Sequence, residues 1–423
     1  MEKPEITVGP ATDHEAYLRT DHTVWFDEVG SAPSVAQLLS IPEHLRFAVT
    51  TPDADPATYP GVYGVRPMTL SVPGTGGDVR RIPVAGLSWV GVHPDHRRRG
   101  VLSAMMRHHL EQVRDEPGTH VSALHASEPV IYGRYGYGLA SHELMVTLGR
   151  GTTLTAPHLD AAAAALETRL ATVTDPGMSV RMRATWERCA AASVGTIVGD
   201  ADFFERICME QPEDLRGKES WRVLFARRDG VDVGLVVFRR EQKWERGRPG
   251  GELTVHDITG DPEARLALLR RLVDFDLIGT VKVYGLGGDD PLLRWIGGPR
   301  GASDVAIYDS LWVRLVDLPA ALEARGYAAP CDLVLDVDDA TAPWNAGRWR
   351  LRVDADGAAR VERTDADADL RLTSAALGGT YLGGVSPVAL ARAGLVEEVR
   401  PGAARELGHS VRTDEPPNAS TGF

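Results

Sequence analysis

The sequence predicts two α/β domains followed by a smaller α+β domain. An order of two strands, a helix and a further strand occurs within residues 1–152, and the same order recurs within residues 153–303. Residues 304–423 instead combine short alternating strands with helices that follow them, which is typical of an α+β domain. A chain of 423 residues is also too long for one ordinary hydrophobic core.

In the first block, hydrophobic periodicity predicts a helix over residues 11–29 and an amphipathic helix over residues 101–115. Pro117 and Gly118 end the second helix. The strand patterns of this block cover residues 46–49, 64–72, 79–92 and 121–124.

The second block repeats this order with little sequence identity, and a structural duplication explains the repeat. Its helix is predicted over residues 262–275, and Asp229-Gly230 is a strong hairpin turn signal. Its strands are predicted over residues 221–226, 231–239, 252–258 and 280–284. In the third block, the predicted strands cover 333–337, 348–353 and 359–363, and the predicted helices cover 374–381 and 387–393.

Composition excludes several classes of function. The formal net charge of −13 argues against a nucleic-acid partner, because phosphate binding needs a basic face, and it fits an amine-bearing small-molecule acceptor better. Cys189, Cys208 and Cys331 are odd in number and scattered, so neither a disulfide framework nor a metal site is expected. No stretch reads as a signal segment or a membrane span, so we expect a cytoplasmic protein without a membrane partner.

The strongest chemical signal is a basic turn, Arg97-Arg98-Arg99-Gly100, between a strand and an amphipathic helix. A helix N-terminus offers unpaired N–H groups and the positive end of the helix dipole, and both favour phosphate. Gly100 allows close approach of the backbone, and the arginines can add charge-assisted hydrogen bonds. The alternative is a solvated basic turn that happens to precede a helix.

This turn resembles the acetyl-CoA loop of the GNAT superfamily, Gln/Arg-x-x-Gly-x-Gly/Ala, although Leu102 departs from the small last residue. The longer string 96–102, followed by Ala126-Ser127-Glu128 and by Ile131-Tyr132-Gly133-Arg134-Tyr135-Gly136-Tyr137-Gly138, resembles the enhanced intracellular survival (Eis) family of bacterial acetyltransferases. The close match covers about 85 to 140, and the chain length, the three blocks and the terminal phenylalanine agree with it.

The resemblance implies a GNAT acetyltransferase domain over 1–152, a degenerate second GNAT-like domain over 153–303 and a sterol-carrier-protein-like domain over 304–423. It also implies a homohexamer that acetylates amines, including aminoglycosides at several positions, with acetyl-CoA as co-substrate. Carried over by position, the residues that would contact acetyl-CoA are Val90, Gly91, Val92, Arg97, Arg98, Arg99, Gly100, Val101, Leu102, Ser103, Ser127 and Glu128.

Acetyl transfer to an amine also needs a proton for the departing thiolate. Tyr132 is the candidate acid, because a phenol just beyond the cofactor strand can reach the sulfur and because the resemblance supports it. Tyr135 and Tyr137 are rivals, and core packing is the alternative for all three.

The strand before the basic turn contains no Asp or Glu, so a general base must come from elsewhere or the amine must arrive deprotonated. The resemblance implies that the C-terminal carboxylate, here of Phe423, serves as base. A frayed tail is the alternative.

The second block should not bind CoA, because Asp261 and Glu263 stand where the first block has its basic turn. His93, His96, His108 and His109 lack the spacing of a metal site. Asp27 and Glu28 could bind a cationic acceptor, although such a pair more often ends a helix. The rival function is an acyl-CoA-responsive or lipid-binding protein in which the third block acts without turnover.

Overall fold

The computed structural model describes residues 5–26, 41–210, 215, 218–419 and 421–423. The chain forms two compact units that interleave along the sequence. The first contains Met1–Ala140, Leu311–Arg412 and Phe423, and the second contains Ser141–Ser310 and Thr413–Gly422. The first and third predicted blocks therefore share one unit, and the exact domain boundaries stay a prediction.

Residues up to 140 form strands and helices close to those predicted. The strands are β1 (Thr7–Pro10), β2 (Arg46–Thr50), β3 (Gly61–Pro73), β4 (Val79–Val92), β5 (Val121–His125) and β6 (Gly138–Leu139). The helices are α1 (His14–Trp25), α2 (Val101–Asp115) and α3 (Pro129–Tyr132).

The first predicted helix is real but shorter than the pattern suggested. The Asp13 carboxylate caps α1 by accepting from two backbone N–H groups, and Phe26 ends it with a left-handed φ of 61°. Residues 27–29, where the prediction ended, lie outside the described residues, as do the acceptor candidates Asp27 and Glu28.

Residues 141–310 supply the elements of the second unit. The strands are β7 (His142–Gly149), β8 (Glu167–Thr172), β9 (Ile197–Gly199), β10 (Arg222–Arg228), β11 (Val231–Glu241), β12 (Trp244–Glu245), β13 (Arg248–Pro249), β14 (Gly251–Gly260), β15 (Ile278–Leu286) and β16 (Asp304–Asp309). The helices are α4 (Asp160–Ala164), α5 (Met178–Ala190), α6 (Ala201–Cys208), α7 (Pro262–Val273) and α8 (Pro291–Trp295).

The remaining elements belong to the first unit. The strands are β17 (Leu311–Leu315), β18 (Cys331–Asp338), β19 (Gly347–Val353), β20 (Ala359–Arg363), β21 (Leu370–Thr373) and β22 (Val396–Glu398). The helices are α9 (Leu318–Glu323), α10 (Ser374–Thr380), α11 (Pro387–Arg392) and α12 (Ala403–Val411).

The main sheet of the first unit runs in the order β1-β2-β3-β4-β5-β17-β6. Its neighbours are antiparallel except β4 and β5, which run parallel because α2 crosses over between them. The apolar face of α2 packs against this sheet through Met105, Met106 and Leu110, which are fully buried. A second sheet, β20-β19-β18-β21-β22, forms the core of residues 318–411 with α9 to α12.

The second unit repeats the central arrangement of the first. Its sheet runs β16-β7-β15-β14-β11-β10-β8, and β11 pairs antiparallel with β14, which α7 connects to the parallel strand β15. The series β3, β4, α2, β5 thus corresponds in order and direction to β11, β14, α7, β15. Within the part of the chain that the structure describes, no helix is long and apolar enough to cross a membrane.

Candidate active site

The site is built where two parallel strands separate. β4 and β5 pair only at Ala85 with Ser122 and at Gly86 with Ala123, both near the middle of β4. Beyond Gly86, β4 continues to Val92 without a described partner on β5. This half of β4 pairs with β3 on one side, and on its β5 side it leaves backbone N–H and C=O groups that an extended ligand can bind as a further strand would.

A β-bulge interrupts the pairing of this half of β4 with β3. The register between β3 and β4 shifts between Val62 and Gly64, and Trp89 adopts a left-handed φ of 57°. A bulge bends the strand and disrupts regular pairing. Val90, Gly91 and Val92 come directly after it. On the side of α1, the Val24 side chain covers Gly91, whose added Cβ would lie 3.2 Å from Val24 Cγ2.

The basic turn contains two residues in the left-handed conformation. Arg98 has a φ of 60° and Gly100 a φ of 93°, and Gly100 is the N-cap of α2 with no side chain capping the helix. Alternating conformations of this kind direct successive N–H groups to one side and favour an anion. A Cβ on Gly100 would meet only Ile6 Cδ1, at 3.7 Å, so the backbone conformation requires glycine here.

The three arginines of the turn divide into two kinds. Arg99 forms an ion pair with Asp53 and approaches His96 Nδ1 at 3.3 Å, and the hydrogen bond from Arg99 holds the pKa of Asp53 below its usual value. Arg97 and Arg98 are exposed and form no ion pair with a carboxylate in the described ranges. Arg99 therefore anchors the turn, and cofactor contacts by Arg97 and Arg98 stay predictions. A cofactor contact by Arg99 stays a prediction.

The first turn of α2 connects the basic turn to the sheet and to the tyrosines. Val101 is buried, and a Cβ on Gly61 of β3 would lie 2.7 Å from its Cγ1. Leu102 is half-buried. Ser103 is exposed, and its Oγ lies 3.1 Å from the Tyr135 hydroxyl.

Three tyrosines lie on the segment after β5, and all three contribute to the hydrophobic core of the first unit. The Tyr135 hydroxyl is hydrogen-bonded to Ser103, and the fully buried Tyr137 hydroxyl lies 2.8 Å from Ser122 Oγ. The Tyr132 hydroxyl has no partner among the residues that the structure describes. Of the three tyrosines, Tyr132 is thus the one whose ring packs in the core while its hydroxyl has no hydrogen-bond partner among the described residues.

The electrostatics at Tyr132 keep it protonated. Burial raises the pKa of Tyr132 to about 12, and the nearby Glu128 carboxylate contributes in the same direction. Glu128 is itself exposed and precedes α3, and the exposed Ser127 lies beside it at the end of β5. A phenol with this pKa is fully protonated at neutral pH and can donate a proton.

The last residue of the chain lies at the point where β4 and β5 separate. The Phe423 ring stacks edge-on against the His125 ring at the end of β5, with 5.1 Å between centroids. A Cβ added to Gly86 would lie 2.9 Å from Phe423 Cε2, so glycine on β4 makes room for this ring.

The residues before Phe423 are held by hydrogen bonds of the second unit. Asn418 N donates to Val194 O at 2.8 Å, and Ser310 Oγ donates to Ala419 O at 2.8 Å. Asn418 and Ala419 are therefore held in place by hydrogen bonds, and the role of the Phe423 carboxylate stays a prediction.

The histidines have structural partners. His108 Nδ1 lies 2.7 Å from the Tyr63 hydroxyl, and His109 Nε2 lies 2.8 Å from Ser122 Oγ. Burial lowers the pKa of His109 to about 3, so that it stays neutral. Across the described ranges, no group of His, Cys, Asp and Glu has the arrangement of a metal site.

The second unit has the same strand–helix–strand crossover, but its helix begins with acidic residues instead of basic ones. Asp261 caps α7 by accepting from Ala264 N at 2.8 Å, and Arg228 binds the Asp261 carboxylate at 2.8 Å. Glu263 adds a second negative charge to the first turn. The N-terminus of α7 is thus capped by a carboxylate, whereas that of α2 has no side-chain cap, and the absence of CoA binding in the second unit stays a prediction.

Two contributors to the site gave no signal in the sequence. Asp53 lies in a loop far from the basic turn, and Arg314 of β17 lies beneath Gly136 after almost two hundred intervening residues, a separation that no local pattern reveals. The left-handed Trp89 was also missed, because glycine is the residue expected in that conformation.

Comparison with known proteins agrees with this geometry. Two models of the acetyltransferase (GNAT) domain match residues 58–140 and 195–315, and a model of the sterol carrier protein domain matches residues 318–419. An "Uncharacterized N-acetyltransferase" of Streptomyces avermitilis is 35% identical over 97% of this chain and 100% of that protein. N-acetyltransferase Eis of Mycobacterium tuberculosis is 32% identical over 79% of each chain. The chain belongs to the Eis-like GNAT N-acetyltransferases.

Solved structures show the same architecture. Eis1 of Mycobacterium abscessus has a TM-score of 0.79 and 28% identity over 99% of this chain and 100% of that one. A GCN5-related N-acetyltransferase of Anabaena variabilis also has a TM-score of 0.79, at 18% identity, which shows the fold alone. The Eis-like chain is thus an N-acetyltransferase with two GNAT domains and a C-terminal sterol-carrier-type domain, and GNAT acetyltransferases use acetyl-CoA.

Proposed function

We propose that this Eis-like enzyme transfers the acetyl group of acetyl-CoA directly to amines of a small-molecule acceptor, aminoglycosides included, at more than one amino group. The observation that carries the proposal is the position of Phe423, whose ring packs where β4 and β5 separate. That position brings the chain terminus to the acetyltransferase sheet, where a base is otherwise missing.

Acetyl-CoA would bind along the separated strands and the start of α2. The backbone of Val90 to Val92, which has no partner on β5, would pair with the extended pantetheine arm. The N–H groups from Arg98 to Ser103 would hold the pyrophosphate, with Arg97 and Arg98 adding charge-assisted hydrogen bonds. Ser127 and Glu128 would contact the cofactor from the end of β5.

The proposed chemistry is a direct attack on the thioester. The amine nitrogen adds to the acetyl carbonyl carbon, the carbon–sulfur bond then breaks, and the thiolate takes a proton from the Tyr132 hydroxyl. Tyr132 supports this role because its phenol is protonated and has no hydrogen-bond partner within the described ranges, unlike Tyr135 and Tyr137. The tyrosinate would recover its proton from solvent or from the proton that the acceptor nitrogen loses as it becomes an amide.

The Phe423 carboxylate would serve as base and as a counter-charge for the acceptor. An alkyl ammonium with a pKa of about 10 must lose a proton before it attacks, and a terminal carboxylate with a pKa of about 3.5 is ionised and accepts that proton directly or through water. The negative charge also favours a cationic acceptor, in agreement with the net charge of −13.

The rival function, lipid or acyl-CoA binding by the C-terminal domain without turnover, has no comparable support. Two surface pockets of that domain are lined by charged side chains, among them Arg348, Arg363 and Asp365 in one and Asp336, Asp338 and Arg371 in the other. A sterol or acyl chain needs an apolar lining. The resemblance to Eis further leads us to propose a homohexamer.

The proposal is tested by turnover with a panel of acceptors. Release of the CoA thiol is measured with acetyl-CoA and an aminoglycoside, an alkyl diamine, an amino acid and an alcohol of similar size, and mass spectrometry counts the acetyl groups. We expect turnover with amines, more than one acetyl group on the aminoglycoside and none on the alcohol. Binding of acetyl-CoA without thiol release for any amine would support the rival function.

A further inference from the structure

A buried ion pair lies behind the segment that carries Tyr132. Arg314 of β17 and Asp339, just after β18, are almost fully buried, and Arg314 Nη2 lies 2.6 Å from Asp339 Oδ2. Arg314 Nη1 donates to Leu315 O at 3.1 Å, and Asp339 Oδ1 accepts from Ala342 N at 2.9 Å. A buried ion pair often adds little to stability, because desolvation offsets the attraction, so its position calls for another explanation.

The guanidinium of this pair touches the turn after the candidate acid. Gly136 has a φ of 83°, and a Cβ added there would lie 2.8 Å from Arg314 Cζ and Nε and 2.5 Å from Ser374 Oγ. No side chain fits between the turn and the ion pair. Gly136 N also donates to Gly133 O at 3.1 Å, so the backbone that contacts Arg314 closes the turn containing Tyr135.

Helix α10 makes a second close contact with the same segment. A Cβ on Gly138 would lie 1.9 Å from Ala375 O and 2.2 Å from Gly379 N, and a Cβ on Gly378 would lie 2.4 Å from Val313 O. The backbones of β6, β17 and α10 are therefore in direct contact. The C-terminal domain uses its glycine-rich helix to support the tyrosine segment.

The other sides of the segment are fixed by its own side chains. Tyr135 is hydrogen-bonded to Ser103 of α2, and Tyr137 is hydrogen-bonded to Ser122 of β5. Tyr137 N donates to Tyr132 O at 3.3 Å. Because the Tyr132 hydroxyl has no partner of its own within the described residues, the surrounding turn determines where it lies.

We propose that the Arg314–Asp339 pair is a positioning device for Tyr132, and that the C-terminal domain contributes to catalysis through it. The inference rests on the proposed role of Tyr132 as acid. It assigns the sterol-carrier-type domain a task beyond any ligand of its own. Arg314 is a positioning residue, since it contacts the turn and not the reacting atoms.

The test is a double-mutant cycle on kcat. Arg314→Lys keeps the charge beside Asp339 and removes the planar group beneath Gly136, so kcat should fall about ten-fold, part of the roughly 10²–10⁴-fold that general acid catalysis supplies. The acetyl-CoA KM should stay unchanged. In a Tyr132→Phe background, Arg314→Lys should have no further effect, because a residue that acts through Tyr132 is not additive with its loss.

Arg265→Lys is the matched control. Arg265 also forms a buried ion pair with an aspartate, Asp290, and donates to a backbone carbonyl, Ile258 O, but in the second unit. The Arg265→Lys variant should lower the thermal midpoint of unfolding without lowering kcat.

If Arg314→Lys retains kcat, or lowers it equally in both backgrounds, the positioning role is wrong. If Tyr132→Phe itself retains kcat, the proposed acid is wrong instead. Should Arg314→Lys not fold, Asp339→Asn, which keeps the side-chain size and removes the charge that pairs with Arg314, gives the same cycle.

Discussion

Hydrogen bonding distinguishes the three phenols beside the site. Tyr135 and Tyr137 have hydroxyl partners, Ser103 and Ser122, and their hydrogen bonds tie α2 and β5 to the segment between them. Tyr132 contributes its ring to the same core, but its hydroxyl is unpaired among the described residues. A hydroxyl without a structural partner is available to a leaving thiolate, which is why we assign the acid to Tyr132.

The raised pKa of Tyr132 predicts the pH dependence of the reaction. An acid whose pKa is raised from 10 to about 12 keeps its proton to higher pH, so kcat/KM should not fall between pH 9 and about 11. The measurement uses an acceptor amine of low pKa, so that its own titration does not interfere. A falling limb centred near the reference value of about 10 that disappears in Tyr132→Phe would contradict the burial argument.

Tyr135→Phe is the control for that profile. It removes the hydrogen bond to Ser103 and leaves Tyr132 in place, so kcat should change far less than in Tyr132→Phe. If Tyr135→Phe abolishes turnover and Tyr132→Phe does not, the acid is Tyr135.

The candidate residues of the site that belong to local motifs came from the sequence, and their roles stay predictions. The basic turn and the tyrosines lie within residues 97–137, so the pattern of turn, helix and strand between them could be predicted from this one stretch. Phe423 depended on the resemblance to Eis, because no physical rule connects a chain end to a strand hundreds of residues earlier. Arg314 and Asp339 could not be found, since an isolated arginine in a strand predicts only an exposed side chain.

At the scale of elements, the two units contain the same strand–helix–strand crossover, but their helices begin differently. α2 begins at Gly100 with no side-chain cap, whereas α7 begins at Asp261, whose carboxylate already accepts from the first turn. The Asp261 carboxylate places a negative charge at the N-terminus of α7 and accepts from Ala264 N, and both features oppose the binding of an anion there. The two crossovers therefore differ in the residues at the start of the helix and not in their fold.

Replacing Gly100 tests the start of α2. Gly100→Val should raise the acetyl-CoA KM about ten-fold or more, the equivalent of at least ~1.4 kcal/mol, because valine opposes a φ of 93° and disturbs the N–H groups. Gly118→Val is the matched control, since Gly118 follows the other end of α2 with a φ of 81° and has open space around it. The Gly118→Val variant should lower the free energy of unfolding and leave the acetyl-CoA KM unchanged. Equal KM values for a folded Gly100→Val enzyme and the wild type would exclude the turn as the pyrophosphate site.

Several strands that the sequence analysis did not predict are short or paired at long range. β1 has the sequence Thr-Val-Gly-Pro, whose glycine and proline are poor strand residues, and only pairing with β2 makes it a strand. β17 lies between β5 and β6 in the sheet, although it follows them by nearly two hundred residues. Helices α2 and α7 were predicted closely, because their apolar pattern is local, whereas the 13-residue helix α5 (Met178–Ala190) was not predicted.

At the scale of the whole molecule, the chain returns twice to its first unit. β17 completes the acetyltransferase sheet, the C-terminal domain follows it, and Phe423 is assigned to that unit while 413–422 belong to the second. The first unit is therefore built from chain segments of the beginning, the later part and the last residue of the sequence.

The central claim is that the chain ends inside the active site as a catalytic carboxylate, and extension of the chain tests it most directly. A short Gly-Ser peptide is added after Phe423, and the same peptide before Met1 serves as the control. The C-terminal extension moves the carboxylate and crowds the space beside Gly86, so kcat/KM for the amine should fall at least about 10²-fold, the lower range for a general base. Acetyl-CoA affinity and the thermal midpoint should stay near those of the control. Full turnover by the C-terminally extended enzyme would show that the Phe423 carboxylate takes no part in the reaction.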